Sequence, residues 1–420
     1  MPPQRPFQHH RGRLQAGGVD LAPLAERFGT PLYVYDFDAV KAAYRAYQTA
    51  FRGLPLQVCA AVKANGNLAL LRRLAEWGSG FDVVSGGELE RVRAAGGAAD
   101  KIVFSGVGKT AAEMDLALRA GIQLFQVESA PELELLEERA ARLRRVARFG
   151  LRVNPDIAAA THPHIATGLK QHKFGLEPAA ARRLYLRARG RRWLEPCGIG
   201  FHIGSQIVSP RPFAQAARRV LDLARELEAA GVSVRWFDAG GGLGIAYRPG
   251  DRLPSLTAYA AGLRAALGDW LRPPGRALLL EPGRRLVGAA GALLTRVLYV
   301  KRHGGRSFVI TDAGANDLMR PSLYGAYHEI VPLARRPGRR QRMEVVGPLC
   351  ESGDCFAHQR LLPPIAAGDL VAILDAGAYG FALSSNYNAR PRAAEVAVEG
   401  GRARRIRRRE LTAELWAAER

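Results

Sequence analysis

Short apolar runs alternate with Ala/Leu/Arg-rich stretches of helical periodicity through the first two thirds of the chain. The runs are LQVCAAV (56–62), FDVV (81–84), KIVFS (101–105), QLFQV (123–127), ARFGLRV (147–153), CGIGFH (197–202), VRWFD (234–238) and ALLLE (277–281). Eight strand–helix units in series predict an α/β fold, a (β/α)8 barrel of TIM type, over residues 30–284. A doubly wound open sheet is the competing architecture, but its usual dinucleotide fingerprint is missing. Ahead of the barrel, LAPLAERFG reads as a helix, PLYVYD as a short strand and Asp38–Phe51 as an amphipathic helix. Beyond Arg285 the pattern changes. GALLTRVLYVKR, RSFVITDAG, RMEVVGPLC, DLVAILDAG and RAAEVAVEG are strand-like, with Gly/Pro turns between them. They predict an all-β C-terminal domain over 285–420, with residues 1–29 contributing.

Chemistry in such barrels gathers where strands end. The ends carry Lys63, Ser85, Ser105, Glu128, Asn154, His202, Gly240 to Gly242 and Glu281, polar or flexible residues after every apolar run. Lys63, in AAVKANGN, sits where burying an unpaired ammonium would be costly, so an amine that bonds a carbonyl is its functional reading. A lysine snorkelling at the barrel rim is the structural alternative. Gly240-Gly241-Gly242-Leu-Gly244 follows the seventh run and can close backbone N–H groups on a phosphate. His202, flanked by Gly200 and Gly204, has room to lay a flat ring against a planar cofactor, and Ser205 can offer a hydroxyl to phosphate. The turn Glu281-Pro-Gly283-Arg284 adds a carboxylate and a guanidinium; Glu281 can face a ring nitrogen and keep it protonated. SGVGKT (105–110) echoes a Walker motif, but Val103 stands where its first glycine belongs, which argues against nucleotide hydrolysis.

Lysine, stacking histidine, phosphate cradle and ring-nitrogen acid together specify pyridoxal 5'-phosphate. In the β-rich part, Gly347-Pro-Leu-Cys350-Glu351-Ser-Gly-Asp-Cys355 sets a thiol beside a carboxylate in a polar turn, a pairing suited to proton delivery and ammonium binding.

These strings, with IVFSGVGK, LRVNPD, THPHIATGLKQHKFG, HIGSQI, TDAGANDLMRPSLYGAYHEI and DAGAYGFALSSNYNARPR, make nearly the whole chain resemble the fold-type III pyridoxal-phosphate decarboxylases of the alanine racemase-like superfamily. The resemblance is closest to the diaminopimelate decarboxylase family. It implies that Lys63 bonds the cofactor and His202 stacks on its ring. Ser205, Gly240, Gly241, Gly242, Gly283, Arg284 and Tyr379 would hold the phosphate, and Glu281 the ring nitrogen. Arg284, Arg320, Tyr324 and Tyr379 would bind substrate, with Glu351 taking its distal ammonium and Cys350 protonating the carbanion after CO2 leaves. The implied reaction turns meso-2,6-diaminopimelate into L-lysine, the last step of lysine biosynthesis. A homodimer is implied, the CESGD turn reaching the neighbour's barrel, with HPHIATGLKQHKFG as the lid. Two positions depart from the family: Ala60 stands where an aromatic residue is usual, and Gly66 where serine is common. They favour the alternative of another diamino acid as substrate. A non-catalytic cofactor-binding homologue would be expected to lack Lys63 or Cys350, and racemisation would call for a second base in place of the CESGD turn.

Arg320 beside Glu351 also gives a physical reason for preferring diaminopimelate to simpler diamines. Its distal end carries both a carboxylate and an ammonium, so a pocket for it needs a cation and an anion together. An arginine left unpaired by a substrate lacking that carboxylate discriminates strongly.

Charge alters this picture little. The formal net charge is +22, but only seven of the 61 basic residues are lysines, and the arginines spread over helices rather than forming an aromatic-laced patch. No nucleic-acid partner is expected. No apolar run reaches the ~20 residues of a membrane span, and MPPQRPFQHHRGR lacks an apolar signal core, so a cytoplasmic protein without a membrane partner is the expectation. The four cysteines show no CxxC pairing, and neither a metal site nor a disulfide framework is expected from them.

Overall fold

The structure is a computed structural model and describes residues 5–157 and 173–419. The chain forms two compact units. One contains Ala43–Ile245 and Arg252–Arg285; the other gathers the segments up to Ala42, Ala246–Asp251, and everything from Leu286 onward.

The first unit is the expected barrel. Its strands are β1 (Leu56–Ala61), β2 (Gly80–Val83), β3 (Ile102–Phe104), β4 (Leu124–Val127), β5 (Ala147–Arg152), β6 (Leu194–Gly200), β7 (Trp236–Asp238) and β8 (Ala277–Leu280). All pair in parallel and in sequence order, and β8 closes on β1 through Leu278–Leu56. Each strand is buried on the barrel side and beneath a helix, which is why the apolar runs were continuous rather than alternating.

Helices start abruptly at the carboxyl ends because their first turns are capped. Asn67, Ser85, Thr110, Ser129 and Ser255 each accept a backbone N–H from the turn they open. Thr110 and Glu113 complete a reciprocal capping box. Ser85, one of the polar strand ends, is therefore a helix cap. Lys109, from the Walker-like string, is also structural. Its ammonium is buried against Glu132 at 2.7 Å and donates to the carbonyls of Gly106 and Gln126.

The second unit is β-rich. Strand Gly291–His303 pairs with Leu32–Asp36, Arg306–Thr311 and Leu370–Ile373. Leu32–Asp36 also pairs in parallel with Ala394–Glu399. Leu32–Asp36, assigned from sequence to the barrel segment beginning at residue 30, thus belongs to this sheet. Pairing on both sides makes it a central strand there, and all five of its residues are buried, with Tyr33 and Tyr35 stacked 6.0 Å apart. Arg306–Thr311 continues through Gln341–Val346 to Cys355–Leu362. A three-stranded sheet from Phe7–His10, Arg13–Ala16 and Val19–Asp20 packs Phe7, Leu14 and Ala16 into this unit's core.

Candidate active site

At the carboxyl face of the barrel, Lys63 lies in a single 3-10 turn, Val62–Ala64, directly after β1. Its ammonium meets Asp82 Oδ2 of β2 at 2.5 Å. Asp82 is fully buried, and its other oxygen has no hydrogen-bond partner among the described residues. Sequence reasoning missed Asp82, hidden in FDVV at an inward-facing position; the carboxylate one strand away from the lysine was the available signal.

Glu281 follows β8 and is buried. It accepts from Ser105 Oγ at 3.3 Å and lies beside Asp238. Burial first, then the charges of Asp238 and Asp82, push its carboxyl well above the usual range. Asp238 is likewise pushed up by burial, although Gln126 Nε2 (3.0 Å) and the Gly240 N–H (2.8 Å) bond to it. Carboxylates crowded in a dry place disfavour one another's charged form, which is why Glu281 and Asp238 both rise.

His202, after β6, accepts the Gly241 N–H on Nδ1 at 3.2 Å. Its pKa is held well below the ordinary value by burial and by the nearby Arg152 and Lys63 cations. The ring is neutral, with its proton on Nε2.

Gly240 and Gly242 have φ of +62° and +108°. A Cβ on Gly241 would stand 2.0 Å from the Glu281 carbonyl oxygen, and one on Gly242 2.0 Å from that of Gly204. Arg284 Nη2 donates to Ser205 Oγ at 3.1 Å, and Gly283 is buried in the turn between them and β8. Glu128 accepts from Arg152 (3.1 Å) and from the Gly175 N–H (3.0 Å), anchoring the end of the lid string. Of that string, 162–175, only residues 173–175 are among those described.

These barrel residues fit pyridoxal 5'-phosphate. A lysine ends a strand, a buried carboxyl with a raised pKa can face a ring nitrogen, a neutral imidazole is fixed by backbone, and a side-chain-free loop lies near a hydroxyl and a guanidinium.

In the other unit, Arg320 opens the helix Arg320–Tyr324 and is buried. His328 donates from Nδ1 to the Leu374 carbonyl (2.7 Å) and accepts Arg320 Nη1 on Nε2 (2.7 Å). The guanidinium also lies over the Tyr247 ring at 4.8 Å. Its plane is fixed before any ligand arrives. Tyr324 ends the same helix and is half-buried.

The turn bearing Cys350 and Glu351 is organised by Asp354, which accepts the N–H groups of Leu349 (2.8 Å) and Ala315 (2.7 Å). Ser322 Oγ ties the Arg320 helix to this turn through the Gly353 carbonyl at 2.6 Å. Cys350 and Glu351 are exposed, and Glu351 accepts the Tyr387 hydroxyl at 2.5 Å. Beside them is a depression of about 430 Å³ lined by Met319, Leu323, Leu349, Glu351 and Tyr387. Tyr379 adopts φ +58°, a left-handed conformation that a bulky side chain rarely takes without a functional constraint. The supporting residues Asp354, His328 and Tyr387 were not singled out from the sequence, because what each does depends on partners brought together by the fold: Ala315, Leu374 and Glu351.

The fold and site define a pyridoxal-phosphate-dependent decarboxylase. Residues 37–288 match the family model described as "Pyridoxal-dependent decarboxylase, pyridoxal binding domain", and the chain belongs to that family. Its place within the family is with the diaminopimelate decarboxylases. It is 49% identical to the Pseudomonas aeruginosa diaminopimelate decarboxylase over 98% of both chains, and 50% identical to one from Neisseria meningitidis over 94% of this chain and 96% of that one. A solved Helicobacter pylori diaminopimelate decarboxylase complexed with L-lysine superposes with a TM-score of 0.91 at 42% identity, covering 95% of this chain and 99% of that one. The M. jannaschii enzyme superposes with a TM-score of 0.94 at 38% identity, covering 99% and 98%. No described helix is long and apolar enough to cross a membrane.

Proposed function

We propose that this chain releases CO2 from meso-2,6-diaminopimelate and leaves L-lysine, working as a cytoplasmic homodimer with pyridoxal 5'-phosphate. The observation that carries the substrate is Arg320, buried and pre-oriented by His328 and Tyr247 in the unit that also presents Glu351. A substrate with an amino acid at each end needs a cation for its distal carboxylate and an anion for its distal ammonium. A bidentate arginine–carboxylate contact in a dry pocket is worth a few kcal/mol, and a substrate lacking that carboxylate leaves the arginine unpaired.

Lys63 would hold the cofactor, with Asp82 fixing its ammonium until then. Glu281 would hold the ring nitrogen, and His202 would lie against the ring. Ser205, Gly240 to Gly242, Gly283, Arg284 and Tyr379 would cradle the phosphate. When bound, the cofactor supplies the electron sink for the pair left behind by CO2. Arg284, Arg320, Tyr324, Tyr379 and Glu351 position the substrate. The Cys350 thiol hands its proton to Cα, and its exposure on a turn held by Asp354 suits delivery into the barrel of a second copy. The exposed Leu323 and Tyr387 beside that turn are the kind of apolar surface a second copy would cover.

The test is CO2 release by the cofactor-loaded protein from meso-diaminopimelate, L-lysine, L-ornithine and L-arginine. Turnover of diaminopimelate alone is expected, and Arg320→Met should cut its kcat/KM by roughly 10²-fold or more. Preferred turnover of another substrate, or an Arg320→Met variant that still favours diaminopimelate, would overturn the substrate assignment. For Cys350→Ala, kcat is expected to fall roughly 10²- to 10⁴-fold with KM little changed, the range for a lost proton donor. An unchanged kcat would remove the thiol from the mechanism.

A further inference from the structure

Behind the catalytic turn, in the same unit, the ladder between Gln341–Val346 and Cys355–Leu362 is irregular. Met343 faces Arg360 and Val345 faces Ala357, so His358 and Gln359 together oppose the single residue Glu344. Gln359 takes up the extra residue with φ +45°. Such a bulge re-aims side chains. In a regular strand Cys355 and His358, three apart, would point to opposite faces; a second irregularity, where Val345 faces Ala357 and Val346 faces Cys355, leaves Phe356 as an extra residue between them, and the two side chains converge.

Their ligand atoms and a carboxylate oxygen of Glu344 all lie within 4.8 Å of one another. Cys355 Sγ is 3.6 Å from His358 Nδ1, which is 2.9 Å from Glu344 Oε2. Glu344 is buried, and its second oxygen is held by Gln359 Nε2 at 2.6 Å. None of these residues has a part in the proposed decarboxylation.

We propose that Glu344, Cys355 and His358 form a binding site for a zinc-class divalent cation, with water in the fourth position. Tetrahedral zinc with sulfur at about 2.3 Å and nitrogen or oxygen at about 2.0 Å needs S···N near 3.6 Å and N···O near 3.3 Å. The sulfur–nitrogen separation already meets this; the imidazole–carboxylate pair opens by about 0.4 Å as its hydrogen bond gives way to the metal. A thiolate, an imidazole and a carboxylate favour zinc over magnesium or calcium. Gln359 orients the carboxylate from behind, and the exposed His358 gives the ion a path from solvent. The Cys355 thiol releases its proton to water on binding. Spacing of the cysteines alone hides this site, because its other two donors come from a facing strand and a bulge.

The test is titration of the metal-stripped, cofactor-loaded protein with Co2+, followed by displacement with Zn2+. One equivalent per chain, with a thiolate-to-cobalt charge-transfer band in the difference spectrum, is expected. Cys355→Ser should abolish the band. His358→Ala, a substitution of an exposed side chain that leaves folding intact, should weaken binding at least ~10-fold. Cys350→Ser should leave the band in place. No band in the parent protein, full binding by both Cys355→Ser and His358→Ala, or loss of the band in Cys350→Ser would each overturn the assignment.

Discussion

Replacing Lys63 with alanine is expected to lower CO2 release by roughly 10⁴-fold or more and also to destabilise the fold. The two effects have separate causes. On the proposed function the Lys63 amine bonds the cofactor, and its loss removes that chemistry. The ion pair with Asp82 is a different matter. Asp82 is fully buried and one of its oxygens already has no partner among the described residues. Without the lysine, Asp82 would have no ion-pair partner among the described residues and would lie near Asp238 and Glu281. Removing one partner of a fully buried pair costs about 3–5 kcal/mol; the Lys63 side chain is 36% exposed, so a smaller loss of about 1–3 kcal/mol is expected here. Lys63→Ala/Asp82→Asn should therefore recover most of the stability in thermal melts while CO2 release stays lost. Appreciable turnover by Lys63→Ala would sink the catalytic assignment. A double variant no more stable than the single would sink the electrostatic one.

Much of the barrel was legible because its strands are buried on both faces, and eight apolar runs survive in the sequence without interruption. Edges were less legible. β6 begins at Leu194, ahead of the apolar run, because Glu195 and Pro196 lie at the half-buried start of the strand, where polarity costs little. Strand Leu32–Asp36 was recognisable as a strand but not in its place. Its partners, Gly291–His303 and Ala394–Glu399, are more than 250 residues away, and no local pattern encodes them.

The site divides in the same way. Lys63, His202, Gly240 to Gly242 and Glu281 stood out as polar or flexible residues ending apolar runs. Ser85 had the same signature and is a helix cap, because capping and catalysis both favour small polar residues at strand–helix junctions. Asp82 and Asp238 escaped notice since an inward-facing carboxylate in a short strand looks like ordinary alternation. Their consequence is large: with burial, their charges raise the Glu281 carboxyl, and no reading of Glu281 alone would show it.

Gly242→Ala is expected to be the most damaging substitution outside the reacting groups. The residue has φ +108°, which alone disfavours any L side chain, and its Cβ would stand 2.0 Å from the Gly204 carbonyl oxygen. Both atoms of that clash are fixed to backbone. The Ile207 N–H donates to the Gly242 carbonyl at 2.9 Å, and the Gly244 N–H returns to the Ile207 carbonyl at 3.0 Å, so the two loops cannot separate without losing both bonds. Left-handed strain of about 1–2 kcal/mol adds to the steric cost, and a stability loss of about 3 kcal/mol or more is expected. Opening the loop would also displace the N–H groups of Gly240 to Gly242, weakening retention of pyridoxal 5'-phosphate at least ~10-fold. Gly66→Ala provides the contrast. Its Cβ would meet Val62 Cγ1 at 3.6 Å and Arg91 Cδ at 3.7 Å, ordinary contacts, so melting temperature and cofactor retention should both stay near those of the parent. Thermal melts and cofactor titration of the two variants side by side measure whether the glycine at 242 is required by geometry. Equal behaviour of the pair would mean that the close approach of these two backbones has no part in holding the phosphate.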